Sequence, residues 1–404
     1  MTQYRRRLTL LFIFVFVDVL GFSLILPLLP YYAAAFGGTA EVVGLLLGVN
    51  ALTQLLGAPT LGRLSDRFGR KPLLLLSLAG TVVGFLMLGL ARSLSMLFAS
   101  RIVDGFLGGN ISLAQAYIGD VTEGKERTKG FGLIGAAFGL GFIFGPAIGG
   151  ALAGGGNYSL PALVAAGLSL LNLMGVLVWL PESLPHAERE RRAREPRAAF
   201  SPRVLWEALR LPCVGPLLQT QLFFSLAFTL FETVFSLFAR DRLELDARTT
   251  SFVLTYVGVL VVLVQGVGIR LLVRRFSDKQ LVFSGSVLLA LSLLAWAFSP
   301  SLAVLLAVLA PLSLASGVLR VAVNTALTRS VWPEEVGWTL GLSAALDSLT
   351  RVLAPAVGGF LLGQVGAFAP GTLGALLMTW LAYYTWKRVL FVPDLACPAP
   401  KGGN

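Results

Sequence analysis

Residues 62–72 read "GRLSDRFGRKP", five formal charges in eleven positions with apolar runs on both sides. Asp66 is the lone acid among Arg63, Arg67, Arg70 and Lys71. A basic knot in so oily a chain suits a short turn between two membrane helices on the cytoplasmic face. Gly62 and Gly69 fit that turn because residues without Cβ tolerate unusual dihedrals. Pro72 fits the first turn of the following helix, where its missing N–H would be unpaired anyway.

Composition agrees with that reading. The chain has 404 residues, 56% hydrophobic and 13% charged, with a mean hydropathy of +0.79. Soluble domains carry about 25% charge, so lipid must solvate most of this sequence. Apolar stretches of about 20 residues predict twelve spans, six of them at 8–32, 43–61, 73–91, 95–119, 130–153 and 159–180. The other six are 213–239, 249–273, 281–299, 301–326, 338–363 and 367–390. The first is too long for a signal-peptide core and more follow, so it is read as a retained helix.

Of 32 Lys and Arg, 25 fall at or beside the termini and the even-numbered loops. Only Arg92, Arg240, Arg242 and Arg248 occupy odd-numbered loops. This asymmetry predicts a multi-pass protein with both termini in the cytoplasm. It also accounts for the net charge of +11 without nucleic acid. Residues 181–212 read as a charged cytoplasmic linker, ending in a surface helix with Val204, Leu205, Ala208 and Leu209 toward the headgroups. The expected organisation is a first bundle over 1–180, that linker, a second bundle over 213–391 and a tail over 392–404. His186, Cys213 and Cys397 have no ligand spacing, so no metal or cofactor is expected.

The halves repeat. "GLIGAAFGLGFIFGPAIGG" (132–150) aligns without gaps on "GLSAALDSLTRVLAPAVGG" (341–359), placing Pro146 on Pro355, Gly149 on Gly358 and Gly150 on Gly359. "RFGRKP" (67–72) has a worn counterpart in "RFSDKQ" (275–280). A duplicated six-span unit suits a transporter with its site near the repeat interface.

With "DVLGFSLILPLLP" (18–30) and "GLGFIFGPAIGG" (139–150), these motifs resemble the major facilitator superfamily. Within it, the chain resembles the twelve-span drug:proton antiporters, including tetracycline efflux proteins. The resemblance covers essentially the whole chain. It implies an all-α membrane protein of the major facilitator fold, with twelve transmembrane helices in two pseudo-symmetric six-helix bundles. It further implies a cytoplasmic gate at Gly62, Asp66, Arg67, Gly69, Arg70, Lys71 and Asp120. There Arg70 would pair with Asp120 and Asp66 would contact the other half. The second-half copy departs from the pattern, with Arg274 where Asp66 has its counterpart.

Gly139, Gly141, Gly145, Gly149 and Gly150, with Pro146, form a small-residue face that lets two helices approach closely. By resemblance, that pattern accompanies proton-exchanging exporters.

Ionisable residues at mid-span are costly and usually functional. Arg101–Asp104 and Asp347–Arg351 have spacings that allow local pairing, which leaves Asp18, Glu232 and Arg320. Burial favours the neutral form of a carboxyl, and a cationic substrate could replace the proton. Asp18 and Glu232 lead the proton-coupling candidates, followed by Asp104 and Asp347. The seventh span carries a polar stripe, Gln221, Ser225, Thr229, Glu232 and Ser236, beside an aromatic one that includes Phe228 and Phe235. Such a helix lines a cavity. Asn50, Gln54, Arg101, Gln115, Arg320, Asn324 and Arg351 extend the polar lining.

The expected function is a proton-coupled antiporter, monomeric, in the cytoplasmic (inner) membrane. It would export amphipathic organic molecules by alternating access. The alternative in class is a major facilitator transporter of a lipid, sugar or other metabolite, by symport or uniport. A membrane enzyme lacks a His cluster, metal spacing or nucleophile elbow, and a channel does not explain the duplicated halves.

Overall fold

The computed structural model describes residues 3–185, 188–191, 202–211, 214–332 and 335–390. His186, both cysteines and the expected tail lie outside these residues. Among the described residues the chain is helical. The helices of the first half are α1 Gln3–Ile25, α2 Leu29–Ala35, α3 Ala40–Phe68, α4 Arg70–Gly89, α5 Leu94–Leu107, α6 Asn110–Val121, α7 Gly124–Leu152 and α8 Ser159–Trp179. A short linker helix, α9 Pro202–Ala208, precedes α10 Gly215–Leu243, α11 Ala247–Leu263, α12 Ile269–Val273, α13 Asp278–Ala297, α14 Leu302–Arg329, α15 Val336–Gln364 and α16 Ala369–Thr385.

Ten helical runs among the described residues are long and apolar enough to cross a membrane, α11 by including the π turn at Val264–Gly268 that continues it. Two expected spans differ for local reasons. The fourth is divided into α5 and α6 at Gly108–Gly109, where glycine weakens the helix. The twelfth has 17 α-helical residues before a π turn at Trp386–Leu390. The first span also breaks at residues 26–28, around Pro27.

Local signals set the ends. Ser93 and Ser301 cap α5 and α14 by accepting from Met96 N and Val304 N. Ser277 and Gln280 form a reciprocal capping box at α13. These contacts satisfy helix-end donors that hydrocarbon cannot. The expected two-glycine turn proves to be one residue. α3 runs through Gly62 to Phe68, and only Gly69, at φ +108°, reverses the chain. Gly62 therefore sits in a helix with open space beside it.

The chain forms two compact units. The first holds Met1–Arg197 with Ala239–Gly258, the second Ala198–Phe238 with Val259–Asn404. In the first, α7 lies against α1. A Cβ on Gly141 would meet Val19, and one on Gly145 or Gly149 would strike Ser23 or Leu24. Ser23 donates its hydroxyl to Gly141 O at 2.7 Å across that seam. Gly150 faces Ser251, and Gly258 faces the Phe142 carbonyl, so α11 packs on α7 in the same unit. In the second unit, a Cβ on Gly358 would strike Val234 of α10. Aligned glycines thus serve equivalent helix pairs, the physical trace of the duplication. The α10 aromatics form the second core, with Phe231 and Phe238 against Trp296 at centroid distances of 4.9 and 4.8 Å.

In α9 the expected headgroup face is mixed. Val204 and Trp206 are exposed, but Ala208 is buried.

Candidate functional site

Asp18 lies on α1, whose apolar sequence carries it into the first unit's core. The Gly108–Gly109 break restarts the helix at Asn110, and this brings the Asn110 amide to the carboxylate. Asn110 Nδ2 donates to Asp18 Oδ1 at 2.7 Å and to Thr81 Oγ1 at 3.1 Å. Asp18, Asn110 and Asn172 face a small cavity otherwise walled by apolar side chains such as Phe14, Leu78 and Val176. The Oδ1 atoms of Asn110 and Asn172 are buried without a hydrogen-bond partner among the described residues. No Lys or Arg among the described residues pairs with Asp18.

The other buried acids of this unit are paired. Arg101 meets Asp104 at 3.2 Å and lies 5.5 Å from the centroid of the Phe85 ring. Asn50 donates to Arg101 O at 3.0 Å, and Gln54 to Gly108 O at 3.1 Å. Their amides therefore tie α3 to the broken fourth span, with Gln115 exposed farther along α6.

In the second unit Asp347 does not bond Arg351. It accepts from Gln221 Nε2 at 2.8 Å and from the Ser225 hydroxyl. The carboxylate is thereby solvated by α10, and Arg351 is left exposed without an ion pair among the described residues. Glu232 and Asn324 are partly buried, and Thr229 is buried. The Arg320 guanidinium stands 5.5 Å from the Phe228 ring centroid and 6.0 Å from that of Phe224. Phe235 is 0% exposed and packs on Phe231, so it presents no surface to a ligand here.

At the basic loop Arg70 is buried between two acids, Asp66 at 2.6 Å and Asp120 at 2.8 Å. Asp66 bonds its own i+4 neighbour on the far side of the Gly69 turn. The acid that caps α4 is Glu182, which accepts from the backbone N–H of Arg70 at 2.9 Å and of Lys71 at 3.2 Å. Arg189 pairs with Glu182 at 3.3 Å, and Ser183 donates to Asp120 at 3.3 Å. Lys71 reaches Leu177 O at 2.8 Å, and exposed Arg67 lies over the Phe68 ring. A second cluster joins α2 to the start of α11. There the Tyr31 hydroxyl donates to Leu245 O at 2.9 Å and lies 2.6 Å from Thr250 Oγ1.

The family model described as Major Facilitator Superfamily matches residues 11–283. The chain belongs to that superfamily. Similar major facilitator proteins include the tetracycline resistance protein, class C, of Escherichia coli, 34% identical over 84% of this chain and 86% of the relative. Multidrug resistance protein 2 of Bacillus subtilis is 30% identical over 86% of each chain. Among solved major facilitator structures, a bacterial homolog of the human lysosomal transporter Spinster superposes with a TM-score of 0.79 at 17% identity. It covers 99% of this chain and all of its own. This major facilitator chain is a transporter and not an enzyme.

Sequence reasoning missed Asn110, Asn172, Glu182, Ser183, Arg189 and Tyr31. Asn110 had a signal, an amide directly after a glycine pair at mid-span. Glu182 had another, the first acid after a membrane helix that returns to the basic loop.

Proposed function

We propose that this chain is a proton-coupled antiporter that exports amphipathic organic molecules, of the multidrug or tetracycline kind, across the cytoplasmic membrane. Two halves, 1–180 and 213–391, would alternate access around the polar and aromatic residues named above. The names of the relatives from Escherichia coli and Bacillus subtilis support the efflux direction.

One observation carries the coupling. Asp66, Asp104 and Asp120 each hold an arginine, whereas among the described residues Asp18 accepts from the Asn110 amide and pairs with no cation. A carboxylate without a counter-ion is costly at membrane depth, and either a proton or a cationic substrate group relieves that cost. Two ligands that relieve the same charge exclude one another. Their opposite movements are then coupled without covalent chemistry.

Alternating access needs contacts that hold one state and break in the other. The Tyr31 contacts to Leu245 and Thr250 join residues of the two halves and would be such a latch, whereas the Arg70 cluster ties the first half to the start of the linker. The Tyr31 contacts are polar, and water can satisfy the same groups when they part.

The test is an imposed pH gradient across proteoliposomes with tetracycline as probe. Gradient-driven movement abolished by an uncoupler is expected. Transport indifferent to both gradient and uncoupler would reject antiport.

A further inference from the structure

Arg320 has five N–H donors and an unusual setting. It lies well inside the apolar α14, is exposed, and has no carboxylate or hydrogen-bond acceptor among the described residues. Its guanidinium carbon stands over the rings of Phe228 and Phe224, which offer π faces and no acceptor to its N–H groups. The acid of α15 is already committed, because Asp347 accepts from Gln221 and Ser225. Hydrocarbon is not a tenable neighbour for those donors, which need water or an acceptor. The Phe228 ring beside it is only partly buried, which leaves aromatic surface next to the donors.

From this geometry we infer that Arg320 and Phe228 form a recognition point for an aromatic ligand bearing an anionic oxygen pair, a carboxylate or an enolate. The fork of parallel N–H groups matches two oxygens side by side. Two aromatic neighbours narrow the space open to the guanidinium before the ligand arrives, which reduces the rotamer freedom lost on binding. The inference deepens the transport reading by assigning one end of the substrate. An aromatic body lies by Phe228, and an acidic edge meets Arg320.

The test uses the full chain in lipid nanodiscs and three probes with one aromatic body: 1-naphthoate, its methyl ester and 1-naphthylmethylamine. Wild type binds the acid at least about tenfold more tightly than the ester, the scale of a charge-assisted hydrogen bond. Arg320→Gln removes that preference, and a melting temperature equal to wild type shows the variant is folded. Arg320→Lys keeps part of the preference, since a point charge replaces the fork. Equal binding of acid and ester by wild type, or no acid binding at all, overturns the inference. So does an acid preference that survives in Arg320→Gln. Gradient-driven tetracycline transport alongside such a result would leave the antiport reading standing, so the two failures are separable.

Discussion

Glu182 accepts a hydrogen bond from the backbone N–H of Arg70 across 2.9 Å, joining the start of the linker to the start of the third span. A second bond from Lys71 N makes this carboxylate the N-terminal cap of α4. Gly69 is required beneath it. A Cβ there would lie 2.5 Å from Glu182 Oε2, at a backbone φ of +108°. Glu182→Ala should lower stability by roughly 1 kcal/mol, the usual cost of a lost cap. A thermal melt in detergent reads this, and a melt equal to wild type would show the cap is not needed.

Arg70 is held by two carboxylates, and both lose its buried guanidinium if it is removed. Arg70→Gln should therefore harm the protein more than Asp66→Asn, which leaves the Asp120 contact. Breaking one partner of a buried pair costs about 3–5 kcal/mol. Expression and melting of the two variants give the comparison. Equal tolerance would mean the cluster is solvated in the working protein.

The α1–α7 seam has no space for a methyl group at Gly145, where a Cβ would strike the Ser23 hydroxyl. Gly145→Ala should cost about 1–3 kcal/mol through overpacking. Ser23→Ala in the same chain should recover part of the loss by removing the obstructing oxygen. Absence of recovery, read by melting temperature, would place the strain elsewhere.

Asp246 caps the start of α11, accepting from Thr249 N at 3.0 Å. Hydrogen bonds from Thr249 hold its carboxyl below the ordinary Asp value. A depressed carboxyl contributes stability above its unfolded value of about 3.9, and that contribution is lost as pH falls through the folded value. Wild type should then exceed Asp246→Asn in stability at pH 7, and the gap should close below about pH 4. A gap independent of pH would show the charge has no role.

The sequence predicted the spans well because hydrocarbon demands long apolar helices, and that demand is written in every residue of a span. The duplication was also legible, since Gly149 and Gly358 occupy equivalent seams. Partners of charges were less so. The i,i+4 spacing of Asp347 and Arg351 permitted a pair, yet two donors from α10 take the carboxylate. Asn110 meets Asp18 from 92 residues away, a distance that no local spacing expresses. Phe235 lies on the aromatic stripe with Phe228, but packing buries the former and leaves surface on the latter.

The central claim is that the Asp18 carboxyl links proton movement to substrate movement. Its most direct test is Asp18→Asn in proteoliposomes, with accumulation under a pH gradient and gradient-free exchange measured on the same preparation. The account predicts that accumulation is lost while exchange persists. Accumulation at the wild-type level would contradict it.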